Sequence, residues 1–113
     1  VGALEKAHEC GRLALEKKAE DVLVIDLAGL TDIADAFLLA TGGSERHVRT
    51  ISDTVEKGMK GKGLKPAFIE GYEQGRWVIM DYGDVIVHVF LEDRRELYDL
   101  EGLWIEADRQ KME

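Results

Sequence analysis

Apolar residues return along this chain in two rhythms. From Ser44 onward, Val48, Ile51, Val55 and Met59 recur every three or four positions with charged side chains between them. That spacing puts them on one stripe and predicts an amphipathic helix ending near Gly61-Lys62-Gly63. Residues 2 to 18 repeat the rhythm more weakly, with Leu4, Ala7, Gly11 and Leu15 as the expected stripe. The runs "DVLVIDL" (21 to 27) and "DAFLLAT" (35 to 41) are short, apolar and rich in β-formers, which predicts two buried strands. A third strand, "AFIEG", is expected after Pro66.

The segment "RWVIMDY-GD-VIVHVFL" reads as a hairpin. Glycine at the first central position of a two-residue loop suits a type II′ turn, whose twist matches the flanking strands. The implied register sets Trp77 opposite Phe90, Ile79 opposite His88 and Asp81 opposite Ile86. Alternation then sorts the side chains into two sets. Val78, Met80, Val85, Val87 and Val89 make a core face. Trp77, Ile79, Asp81, Ile86, His88 and Phe90 mix aromatic, acidic and titratable groups, the kind of surface a protein partner reads. In the tail "RRELYDLEGLWIEADRQKME", Leu97, Leu100 and Trp104 fall at helical spacing. That stripe is expected to dock on the same domain, with pairing into a homodimer as the alternative.

Helix, two strands, helix, three strands and a short C-terminal helix describe an α/β (α+β) fold, a mixed five-stranded sheet packed on helices. With few helices for that many strands, one sheet face is expected to be less fully covered. At 113 residues the chain is read as one domain over 1–113. The single cysteine, Cys10, has no internal disulfide partner, and no Cys/His spacing suggests zinc, so no metal or cofactor is expected. No leader and no apolar run of membrane-spanning length are read in the sequence, which with the lone thiol suggests the cytoplasm.

The net charge of −8 argues against holding nucleic acid over a broad surface and suits a basic protein partner. The charge is uneven. Ser44 to Pro66 carries Arg46, Arg49, Lys57, Lys60, Lys62 and Lys65 against Glu45, Asp53 and Glu56. Ala67 to Asp93 is the reverse, with Glu70, Glu73, Asp81, Asp84, Glu92 and Asp93 against Arg76. The acidic half is a candidate docking surface.

"TGGSERH" (41 to 47) admits two readings. Ser44 at the start of a helix acts as an N-cap, its hydroxyl accepting a first-turn N–H. Gly-Ser opening a helix also suits a metal-dependent nucleotidyltransferase, but that chemistry needs paired carboxylates on the next strand. "PAFIEGY" offers only Glu70, so the cap is favoured. Asp81 and His88 lie diagonally on the hairpin without a nucleophile placed beside them, and Cys10, Ser44 and Ser52 sit in other elements. His88 is expected to be structural or part of an interface.

Four blocks in order, "KKAEDVLVIDL" (17 to 27), "DAFLLATGGSERHV" (35 to 48), "EGY...RWVIMDYGDVIVHVF" (70 to 90) and "RRELYDLEGLW" (94 to 104), resemble the Iojap/RsfS family of ribosomal silencing factors. The likeness runs from about residue 4 to 106 and leaves Asp108 to Glu113 outside it. It implies a nucleotidyltransferase-like fold without the catalytic carboxylates, and no enzymatic step. It also implies a partner, the large ribosomal subunit through its ribosomal protein number fourteen, and a role blocking small-subunit joining to repress translation when nutrients are scarce. The family's docking region maps onto Trp77, Asp81, Tyr82, Gly83 and Asp84. Tyr82 stands where relatives often carry an aliphatic residue. Glu70 joins this set on charge alone.

Overall fold

The structure, a computed structural model, describes residues 2–112. The chain forms α1 (Ala3–Glu16), β1 (Glu20–Asp26), β2 (Ala36–Gly42), α2 (Glu45–Lys60), β3 (Phe68–Glu70), β4 (Trp77–Asp81), β5 (Val85–Leu91), α3 (Glu92–Tyr98), α4 (Leu100–Leu103) and β6 (Asp108–Met112). The strands make one sheet in the order β3-β4-β5-β2-β1-β6. Only β2 and β5 pair in parallel; every other neighbouring pair is antiparallel.

The sheet has six strands rather than the expected five. The added strand, β6, lies in the segment placed outside the family likeness and pairs with β1 from Val22↔Met112 to Asp26↔Asp108. Its sequence, "DRQKM", has no apolar alternation because it forms an edge and is largely exposed. Backbone pairing and a few contacts with α1 hold it, among them His8 to Gln110 at 2.7 Å.

The α2 stripe is as expected: Val48, Ile51, Val55 and Met59 are fully buried. Each such side chain contributes about 1.5–3 kcal/mol of burial. The α1 stripe differs. Its buried residues are Ala7, Cys10, Gly11 and Ala14, whereas Leu4 is 41% exposed and Leu15 half-buried. Small residues let α1 lie close on the sheet. A Cβ at Gly11 would meet the Met112 sulfur at 2.4 Å. The expected stripe therefore holds at Ala7 and Gly11, while Cys10 and Ala14 complete it in place of the larger Leu4 and Leu15.

The hairpin register is Trp77↔Phe90, Ile79↔His88 and Asp81↔Ile86, as the turn chemistry predicts. Gly83 has φ +91°, a conformation that favours glycine, while Asp84 keeps a non-positive φ. On the helix side, Val78, Met80, Val85, Val87 and Val89 are at most 1% exposed and join Val22, Val24, Leu38 and Ala40 under α1 and α2. The opposite face has its own cluster of Leu23, Ile25, Phe37, Leu39, Ile86 and Phe90.

Candidate functional site

The second sheet face is only partly roofed. After β5 the chain turns back through α3 and α4 and crosses this face before returning as β6. Leu100 and Trp104 pack onto the Phe37–Phe90 cluster, so this part of the tail docks on its own domain. Leu97, assigned to the same stripe, is 70% exposed and does not. Asp99, in the left-handed region at φ 46°, breaks the helix between them and rotates Leu97 out of line.

The tail is latched by a residue outside the apolar pattern. Arg95 is 8% exposed. Its guanidinium donates to both carboxylate oxygens of Glu101 (3.2 Å each), to Thr41 Oγ1 (2.8 Å) and to the Asp21 carbonyl. Asp21 sits at a bulge in the β1–β2 ladder with φ 50°. Arg95 thus satisfies a carbonyl that the irregular ladder leaves open, and its forked donors suit several acceptors at once.

Strands β3 and β4 remain the open part of this face. The pairs Phe68↔Asp81 and Glu70↔Ile79 put Phe68, Glu70, Trp77, Ile79 and Asp81 on one side. Phe68 is 46% exposed, Glu70 is exposed, and Trp77, Ile79 and Asp81 are half-buried. Trp77 is held rather than free. Its ring stacks on Phe90 at 5.2 Å between centroids and lies 4.3 Å from Tyr98, while its indole N–H donates to His88 Nδ1 at 3.1 Å. One ring is therefore fixed in orientation while part of its surface meets solvent, a low-entropy anchor for a partner.

His88 is 5% exposed, and burial pushes its pKa down to about 4. Accepting from Trp77 at Nδ1 leaves its proton on Nε2, which has no hydrogen-bond partner among the described residues. It faces aromatic neighbours, with Phe37 at 4.6 Å edge-on and Phe90 stacked at 6.0 Å. His88 engages Trp77 rather than Asp81, whose Oδ1 accepts from the Gly83 N–H at 2.7 Å.

The residues proposed from sequence for partner binding do not all lie together. Trp77, Asp81 and Glu70 share the open face. Tyr82 lies on the opposite side, 9% exposed within the core beneath the helices, so its side chain is not offered to a partner on the open face. Alternation along β4 carries that consequence: one step past Asp81 the side chain changes sides. Burial raises the Tyr82 hydroxyl pKa, and its oxygen has no partner among the described residues. Gly83 is exposed at the turn. Asp84 turns to α1, pairing with Lys6 at 2.6 Å, while its carbonyl accepts from the Asp35 and Ala36 N–H groups.

At "TGGSERH", Ser44 Oγ accepts from the His47 N–H at 3.0 Å, the N-cap bond. His47 adds what the sequence reading missed. Its Nδ1 accepts from the Gly43 N–H at 3.0 Å and its Nε2 lies 2.6 Å from the Lys17 carbonyl, so one imidazole braces the turn and the end of α1. It returns a hydrogen bond much as the Glu of a capping box does. Cys10 is fully buried, and burial pushes its thiol up to about 12; Ser52 Oγ donates to the Val48 carbonyl. Among the described residues neither is hydrogen-bonded to a side-chain base. Among the described residues no three His, Cys, Asp or Glu side chains converge as metal ligands, and no helix is long and apolar enough to cross a membrane.

Comparison with known proteins agrees with this architecture. The family model described as "Ribosomal silencing factor during starvation" matches residues 2–113, so the last residues, left outside the likeness on sequence, lie within it. Ribosomal silencing factor RsfS of Halalkalibacterium halodurans is 44% identical over 98 residues, covering 87% of this chain and 84% of that protein. A more distant relative, mouse "Mitochondrial assembly of ribosomal large subunit protein 1", is 30% identical over 95 residues, 81% of this chain and 42% of its own length. A crystal structure of a Chromobacterium violaceum protein superposes with a TM-score of 0.89 at 34% identity, covering 92% of this chain and 87% of the other.

Proposed function

The chain belongs to the ribosomal silencing factor family, and from that premise we propose that it binds the large ribosomal subunit through its ribosomal protein number fourteen. Bound there, it blocks joining of the small subunit and represses translation under nutrient limitation. The mechanism is occupation of space, with no bond made or broken. The observation that carries this reading is the open half of the second sheet face. There Trp77, Ile79 and Phe68 offer apolar contact beside the acids Glu70 and Asp81, in a chain of net charge −8. Ribosomal proteins are generally basic. The acids then steer encounter and fix register, while the braced Trp77 supplies the anchor. The same docked position would also serve assembly of the large subunit.

The nucleotidyl-transfer alternative finds no support at "TGGS", where the Ser44 hydroxyl is engaged in capping and Glu70 lies on the exposed edge strand β3. Magnesium-dependent nucleotide binding in a calorimetric titration is the result that would revive it.

The deciding experiment follows light scattering as purified large and small subunits rejoin at raised magnesium. Wild-type protein should reduce joining in a dose-dependent way. Trp77→Ala should weaken subunit binding by about 2 kcal/mol, on the scale of an interface hot spot. A folded Trp77→Ala variant that blocks joining as well as wild type removes Trp77 from the site. No effect of wild-type protein at saturation defeats the silencing mechanism.

A further inference from the structure

The basic run noted in the sequence is left unused by the protein-docking face. Helix α2 ends at Lys60, and the chain then passes Lys62 and Lys65 on its way to β3. Lys57, Lys60, Lys62 and Lys65 are all exposed. Between the end of α2 and β3 lies a groove of about 450 Å³, lined by Glu56, Lys60, Lys65, Pro66, Phe68 and Ile69. Glu56 is the sole carboxylate in that lining. Lys62 reaches Glu9 at 3.4 Å, whereas among the described residues Lys57, Lys60 and Lys65 form no ion pair. Lys57 and Lys60 suit the negative end of the α2 dipole, but that effect fades within the last turn and gives no reason for Lys65.

The position of this edge matters as much as its charge. Phe68 belongs both to the groove and to the open face, so Lys60 and Lys65 begin where the acidic, apolar surface stops, with Lys57 one turn earlier on α2. A basic ribosomal protein meeting the acids would repel these lysines. Ribosomal proteins are bedded in RNA, so a surface bordering the docked protein meets phosphate. Lysine is a point charge that attracts phosphate without reading bases.

We propose that Lys57, Lys60 and Lys65 lie against the phosphodiester backbone of ribosomal RNA beside the docked protein partner. The proposal rests on the ribosome-binding reading above and adds a second, RNA-facing contact to it. Such a contact is local, and so is compatible with a net charge that disfavours broad RNA binding.

The test is equilibrium binding of the fluorescently labelled full chain to purified large subunits between 50 and 200 mM potassium chloride. The variant combines Lys57→Gln, Lys60→Gln and Lys65→Gln, all exposed positions, and its unfolding midpoint is checked first. Affinity at 50 mM salt should fall roughly tenfold or more, and the slope of log affinity against log salt should become shallower by about 2 to 3, near one per lost phosphate contact. Binding to isolated ribosomal protein number fourteen should not weaken. Equal affinity and slope for both chains would overturn the inference, because the lysines would then face solvent. Tighter binding by the variant would also overturn it, because they would then face a basic protein. If wild type does not bind subunits at all, the ribosome-binding reading itself fails, an outcome distinct from equal binding by both chains.

Discussion

The two faces of the sheet are built by the same strands yet do different work. Beneath α1 and α2 the side chains are almost wholly aliphatic, and Val78, Met80, Val85, Val87 and Val89 there are at most 1% exposed. Across the sheet, the same hairpin presents Trp77, Ile79, His88 and Phe90, roofed by a short tail over part of its width. The first face supplies stability through packing. The second gives up part of that burial and keeps a shaped, partly wet surface with polar groups placed by aromatic rings. A sheet with one fully committed face can hold its fold while leaving half of the other for a partner.

The sharpest test separates the faces by truncation. Leu38 is fully buried beneath the helices, so Leu38→Ala should cost about 3 kcal/mol in denaturant unfolding, through lost transfer energy and a residual cavity. Subunit binding by the fraction that remains folded should be unchanged. A loss below about 1 kcal/mol would mean that this face is not the tightly packed one.

An acid titration probes the second face through His88. Its folded pKa, about 4, lies below the ordinary value of 6.5 because burial penalises the imidazolium. As pH falls, the unfolded chain therefore takes up this proton first. The stability difference is absent above about pH 6.5, grows as pH falls, and reaches about 3 kcal/mol of destabilisation near pH 4. His88→Gln retains an acceptor for the Trp77 indole and should flatten that stretch of the stability profile. If the slope between pH 6.5 and 4 persists unchanged in the variant, His88 is not its source.

The smallest expected effect lies at the open rim. Glu70 is exposed, so Glu70→Lys should leave the unfolding free energy within about 0.5 kcal/mol of wild type. It should slow association with the large subunit several-fold at low salt, with the difference shrinking as ionic strength rises. Glu70 is the cleaner probe of steering than Asp84, whose carboxylate is occupied by Lys6. Association rates equal to wild type at 50 mM salt would remove Glu70 from the steering surface.

Local chemistry made much of this architecture readable. The α2 stripe has regular spacing and opens on the Ser44 cap favoured from sequence. The hairpin register follows from Gly83 and strict alternation, and it correctly separated an aliphatic face from an aromatic one. The site was harder. Trp77, Asp81 and Glu70 fall together because alternation and cross-strand pairing put them there. Tyr82 and Asp84 belong to the same sequence block but turn elsewhere once β4 ends. Sequence adjacency is a poor guide at a turn, where each step redirects a side chain.

By itself, then, the sequence determined the elements whose signals are local: the periodic helix α2, the strands β1 to β5, the tight turn and the two-sided hairpin. It also carried the family likeness, because that rests on the order of residue blocks. Tertiary structure alone decided that Cys10 and Ala14, and not Leu4 and Leu15, complete the buried stripe of α1, that "DRQKM" completes the sheet, that Arg95 latches the tail over a bulge, and that β3 and β4 stay open. These outcomes depend on residues distant in the chain. Close approach rewards small side chains over large ones, an edge strand needs a neighbour more than a pattern, and a buried guanidinium is stable only where its acceptors converge.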